Sequence, residues 1–222
     1  TLTTDNIYID MGPYESLSIK SVKLKDHILQ THDLKLGSKF GKEKLSNKLK
    51  RERDHWKLDI PEIVLNNYDF GYKGNRFFLL AENIVVQQPK LEVYRDKLVA
   101  DDLEKKSLYS KILRELPVDL SISKININDG QLDYEELVNT NTQAGRIFFD
   151  QINAELQNIS NTSATIEKTS IKANALFMEN TPMTLDWSFN VTDSSDNFLV
   201  SGTFKNFEAQ SINPFLESNM RS

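Results

Sequence analysis

Three histidines, His27, His32 and His55, are the first candidates for metal chemistry. His27 and His32 lie five apart, and on a strand an odd spacing sends two side chains to opposite faces. No acid cluster beside them completes a ligand set. The chain has no cysteine, which removes thiolate zinc sites, disulfide staples and cysteine nucleophiles. Paired carboxylates are the next possibility, because two at the right separation do general acid and base work. Asp133, Glu135 and Glu136 bracket Tyr134. Asp133 and Glu135 alternate with Leu132 and Tyr134, so they read as the wet face of a strand. The sequence holds no nucleophile elbow, no phosphate-cradling glycine loop and no dinucleotide fingerprint. The expectation is a protein that is not an enzyme, with no catalytic residue, no metal site and no cofactor.

The elements therefore matter more than any constellation. The chain is 222 residues long, 39% hydrophobic and 27% charged, with a mean hydropathy of −0.47. That is the composition of a folded domain rather than a disordered segment. A net charge of −5 argues against nucleic acid as a partner. No run of about 18 apolar residues is present. The chain opens at Thr1 without an initiator Met or a signal-like apolar segment, and it reads as a fragment of a longer protein.

The dominant pattern has period two. Met183, Leu185, Trp187, Phe189 and Val191 are apolar, and the residues between them are polar. Successive strand side chains point to opposite faces, so this is a strand with one dry and one wet face, as antiparallel sheets show. Further strands are expected at 17–25, 76–86, 90–95, 118–128, 131–137, 145–159, 165–177 and 197–207. One helix is expected over 101–116. Asp101 and Glu104 form a capping-box pattern, acid–base pairs stand four apart at Asp101/Lys105 and Asp102/Lys106, Leu108, Tyr109, Ile112, Leu113 and Leu116 make one apolar stripe, and Pro117 ends it. A short second helix is expected at Asn213-Pro214. Residues 39–57 are rich in Lys and Arg and read as a solvated loop or weak helix, or as a basic patch for anionic head groups.

Three segments share a spacing. Ile63 to Tyr72, Ile84 to Val93 and Ile125 to Tyr134 each carry two alternating apolar residues, a polar pair, a turn-type residue and two more alternating apolar residues. Asp129-Gly130 is a tight-turn signal. The repetition suggests hairpin-like units that extend one sheet. Aromatic residues gather late in the chain. Phe149, Phe177 and Phe204 join the Met183–Val191 strand as candidates for sheet core or for an apolar groove. One helix is little cover for so much sheet, which favours binding by an exposed apolar face.

The stretch from Leu116 through Asn128-Asp129-Gly130 to Tyr134 resembles the AsmA-like envelope proteins, a superfamily that includes AsmA, TamB and YhdP. There a helix and a proline lead into a strand, an Asn/Asp-Gly unit and a second strand carrying an aromatic residue and acids. The stretch Ala144–Ser160, the Met183–Val191 strand, Phe198–Phe207 and the unit at Ile84 fit the same pattern, so the resemblance covers residues 76–216. The resemblance implies a mainly β fold: a long curved antiparallel sheet of hairpin-like repeats whose inner face forms an apolar groove, with one covering helix. It implies that 1–222 is one β-rich periplasmic piece of a protein anchored in the inner membrane by a segment outside this chain. It implies phospholipid acyl chains as the partner, moved between inner and outer membrane. The alternative is an envelope scaffold or protein-binding β-module with other envelope proteins as partners. The sequence gives no oligomeric state.

Overall fold

The computed structural model describes residues 1–104, 106–139, 143–162 and 167–220. The chain is mainly β, 61% strand and 10% helical. The strands are β1 Leu2–Asp10, β2 Glu15–Lys25, β3 Ile28–Ser38, β4 His55–Lys73, β5 Arg76–Gln87, β6 Lys90–Asp96, β7 Asp119–Leu137, β8 Gly145–Ser160, β9 Thr169–Phe177, β10 Thr181–Phe189 and β11 Phe198–Phe204. The helices are α1 Lys42–Ser46, α2 Tyr109–Arg114 and α3 Asn213–Met220, the last preceded by a 3-10 turn at Ala209–Ile212. All eleven strands form one sheet in the order β1-β2-β3-β4-β5-β7-β8-β9-β10-β11, with β6 between β4 and β7. β6 continues the line of β5 past Gln88-Pro89, so β5 and β6 together lie between β4 and β7.

The sheet is mixed. β7 runs parallel to both β5 and β6, and every other pairing is antiparallel. A parallel pair needs a crossover, and residues 97–118 supply it. This explains the one large difference from the expected helix at 101–116. The crossover must return from the level of Asp96, beside Leu137, to the level of Asp119, beside Phe78. Eighteen strand steps amount to about 60 Å, whereas a sixteen-residue helix advances only about 24 Å. Among the described residues of the crossover, only Tyr109–Arg114 is helical. At the expected cap, Asp102 Oδ1 instead accepts from Glu104 N in a local turn. Lys105, and with it the Asp101/Lys105 pair, lies outside the described residues. The expected stripe is not core either: Leu108, Tyr109 and Ile112 are 45%, 63% and 48% exposed.

The shared spacing of the three repeat segments has a different meaning from the one expected. The second residue of each polar pair, Asn67, Gln88 and Asp129, has a positive φ near 50° (48°, 47° and 54°). None of the three is a hairpin turn: Asn67 and Asp129 lie inside β4 and β7, and Gln88 stands at the break where β6 takes over the line of β5. At Asn67 and Asp129 a short polar side chain tolerates the left-handed region better than an apolar one. The register is unchanged across Asn67, with Asn66 opposite Asn83 and Tyr68 opposite Ala81, yet the alternation changes phase, so Leu65 and Tyr68, three apart in β4, both pack on Ala81 and Ile84. The polar pair is the phase change that keeps the apolar residues together. Asn6, Asp33 and Gln151 repeat the device at φ 56°, 51° and 51°. In the registers the unpaired positions Asn6, Lys20, Asp33 and Pro61 follow one another across β1 to β4, and Gln88, Asp129 and Gln151 continue the line to β8. Gln88 N donates to Asn128 O at 2.8 Å and Gln88 Nε2 to Asp129 Oδ2 at 3.1 Å, which ties neighbouring bulges. True hairpin turns occur elsewhere; His27, with Asp26, makes the two-residue turn between β2 and β3.

Candidate functional site

Register and alternation sort the side chains into two faces. Leu17, Ile19, Leu34, Leu36, Leu58, Ile63 and Leu65 are on one face at the N-terminal side. Ile84, Val86, Ile125, Ile127, Ala154 and Leu156 continue it through the centre. Ile171, Ala173, Ala175, Met183, Leu185, Trp187, Phe189, Val200 and Phe204 carry it to the far edge. The opposite face holds Lys57, Asp59, Lys124, Glu155, Lys172 and Asp186, joined by ion pairs such as Lys124–Glu155. It also carries Phe78 and Phe148, each under a cation, Lys73 at 5.1 Å and Arg146 at 4.5 Å from the ring centres.

The apolar face buries itself. Ala81, Ile84 and Ile122 are 5%, 8% and 5% exposed. Their packing neighbours are Ile63, Leu65, Tyr68, Val86, Leu120, Ile125 and Ile159, all on the same face of the same sheet. Large side chains from neighbouring strands on the same face supply that cover. The total accessible surface, 13779 Å², is well above the roughly 10,000 Å² of a compact monomer of this mass. Much of the sheet therefore faces solvent on both sides.

The eight residues expected to form core or groove fall as follows. Met183, Leu185 and Trp187 are half-buried, Phe189 is buried, and all four share the apolar face. Val191 is buried in the turn just after β10. Phe149, Phe177 and Phe204 meet on that face, with ring centres 5.0 Å apart for Phe149–Phe177 and 5.3 Å for Phe177–Phe204. Phe207 completes the cluster, 6.1 Å from Phe177. Sequence reasoning missed the face of β3 and β4; the phase-shifted alternation around Asn67 is the signal that could have found it.

Two short helices cross the ends of the face. Tyr109 of α2 stacks edge-on against Trp187 at 5.1 Å. Arg114 donates to Val191 O and Asp193 O at 2.8 and 3.0 Å and pairs with Asp196 at 2.8 Å. Ser110 Oγ donates to the same Asp196 carboxylate. At the other end α3 lies against β7 and β8, with Phe215 6.4 Å from Tyr134 and Asn219 donating to Glu136. Tyr134 Oη also donates to Glu136, and burial first, then that bond, raises the phenol's pKa above its ordinary value.

The hydrogen bonds from Ser110 and Arg114 hold the Asp196 carboxyl below the usual aspartate value of 3.8, with burial opposing them. A lowered folded pKa means the latch contributes stability above the ordinary aspartate range and loses it as pH falls through the folded value. Trp187 fluorescence should therefore stay constant from neutral pH to about pH 4 and change below it. A transition centred near pH 6 would break the link to Asp196.

The remaining candidates for chemistry are partnered. Asp133 pairs with Arg146 and Glu135 with Lys42. His32 Nδ1 is 4.0 Å from Glu62, and His55 Nε2 is 2.9 Å from Phe40 O. Among the described residues no group of three His, Cys, Asp or Glu side chains is placed to hold a metal ion. The basic segment contains only α1 as helix, with Leu45 buried. Lys39 pairs with Asp10, Lys42 with Glu135 and Arg53 with Glu15, while Arg51 donates to Asp101 O. Those cations strap the segment to the sheet. Lys44 and Lys48 lie over the Phe40 ring.

No protein-family model matches the chain, and no curated protein matches it in sequence.

Proposed function

We propose that this chain is a non-enzymatic, AsmA-like piece of a bacterial envelope protein, and that its apolar sheet face holds phospholipid acyl chains during movement between the inner and outer membranes. The observation that carries the reading is the continuity of that face. It runs without a charged interruption from Leu17 and Leu36 through Ile84 and Ile125 to Phe189 and Phe204. Part of it stands open, with Phe70 and Phe204 46% and 47% exposed. Each methylene placed against such a surface contributes about 0.8 kcal/mol, so partial enclosure of one acyl chain gives measurable affinity. The reading puts the chain in the periplasm, attached to the inner membrane through another part of the same protein. The strapping of Lys39, Lys42 and Arg53 leaves the basic segment a small part in head-group attraction.

The test is photo-crosslinking with a phospholipid that carries a diazirine in its acyl chain. Labelled peptides should come from β8 to β10, around Phe149, Phe177 and Leu185. Leu185→Asn should reduce labelling while the thermal melt stays near that of the parent. Labels confined to the polar face, or none above a bovine albumin-quenched background, would leave the scaffold reading in its place.

A further inference from the structure

The two helices that cap the ends of the apolar face are held differently. α2 is tied down at the Trp187 end, where Arg114 donates to Val191 O and Asp193 O and pairs with Asp196, and Ser110 donates to the same carboxylate. α3 is held by less. The Phe215 ring lies 6.4 Å from that of Tyr134, Asn219 donates to Glu136 at 3.3 Å, and Phe215 and Ser218 rest on Gly145. Asn219 Oδ1, and the Ser211 hydroxyl just ahead of the helix, are buried without a hydrogen-bond partner. A buried acceptor left unpaired costs free energy, so the seat is an imperfect one. The helix stands where the dry face ends. Trp56, Val93, Tyr134 and Ile147 form one row across β4, β6, β7 and β8. The next row toward the strand ends is polar: Arg95, paired with Asp54 at 2.7 Å, then Glu136, then Gly145. Phe215, half-buried, lies over the boundary between the two rows.

We propose that α3 is a displaceable plug: Phe215 covers the Tyr134 end of the apolar face while that end is empty, and an acyl chain arriving there takes its place. The proposal rests on the acyl-chain reading of the face. Both occupants are apolar and cover the same side chains, so they exclude one another. The chemistry of the seat favours the exchange. When α3 leaves, Asn219 Oδ1 regains water, and Glu136 keeps the hydrogen bond from Tyr134 Oη. The acyl chain needs no polar partner in return. Coupling between two sites is reciprocal, so whatever releases α3 raises affinity for the chain by the factor with which the chain releases α3. α2, with its hydrogen-bonded Asp196, stays seated at the other end.

The probe is lauroyl lysophosphatidylcholine kept below its micelle concentration, with glycerophosphocholine, which lacks the acyl chain, as control. Amide exchange of the full chain and calorimetric titration are the readouts. At saturation, exchange over 213–220 should quicken by at least about fivefold while 109–114 is unchanged. Phe215→Ala, which empties the seat, should bind the probe at least about fivefold more tightly than the parent. Gly145→Ala should do the same from the sheet side, with every residue of α3 intact. Glycerophosphocholine should change nothing. Binding to the parent with α3 protection kept, and equal affinity in both variants, overturns the plug and leaves the acyl-chain reading standing. Equal quickening by glycerophosphocholine also overturns it. No binding to the parent or to either variant sinks the acyl-chain reading and the plug with it.

Discussion

Ile122→Asp should unfold the chain or lower its stability by several kcal/mol, against a total of about 5–15 kcal/mol for a domain. Ile122 is 5% exposed near the start of β7, packed with Ala81 and Ile84 and flanked by Leu120, Ile125 and Ile159. A carboxylate there has no cationic partner on the apolar face and loses its water. Ile122→Val, which removes one methylene, should cost only about 1 kcal/mol. The contrast lies in α2. Ile112→Asp, on the stripe that the sequence marks as core, should shift stability by about 0.5 kcal/mol or less, because Ile112 is 48% exposed. Urea unfolding followed by Trp56 and Trp187 fluorescence measures all three. Equal losses for Ile122→Asp and Ile112→Asp would mean that the crossover, and not the sheet face, holds the core.

The same pair of residues shows where the sequence was readable. Alternation marked β7 to β11 well, since a strand with one dry face writes its register into every second residue. The resemblance to AsmA-like proteins rests on those same strands and remains a proposal. The expected helix failed for a reason invisible in local pattern. Capping and stripe both favoured 101–116, but the parallel pairing of β5 and β7 requires a connection too long in space for that helix, and parallel pairing is a property of the whole topology. In the N-terminal third the strand at 17–25 is legible in the sequence and its neighbours are not, for another reason. β4 spans nineteen residues with unpaired positions at Pro61 and Asn67, where the alternation that a period-two reading depends on changes phase. The polar pairs have the composition of turns. Asn128-Asp129-Gly130 does contain a turn-type dipeptide, yet Asp129 takes the left-handed conformation within a continuing strand, and a Cβ on Gly130 would stand a tight 3.2 Å from Pro89 Cγ.

Gly145→Ala should release α3 from the sheet while the sheet itself stays folded. Gly145 is buried at the start of β8, opposite Glu136 of β7. A Cβ there would meet the Phe215 ring and the Phe215 carbonyl, each at 3.1 Å, and would overlap Ser218 Oγ. The backbone carbonyl cannot yield without moving the helix. α3 has eight residues, fewer than the roughly 12–15 an isolated helix needs to persist in water, so it depends on this seat and on the Phe215–Tyr134 and Asn219–Glu136 contacts. Amide exchange over 213–220 should quicken by at least about tenfold in the variant, with 119–137 unchanged outside the strand end. Undocking also uncovers Tyr134 on the apolar face. If that face receives acyl chains, lipid labelling should spread toward Tyr134 and Ile147 in Gly145→Ala. Retained protection of α3 would show that the helix is held elsewhere. Faster exchange with no spread of label would separate the strap from ligand access, leaving α3 as a structural tie between the end of the chain and β8.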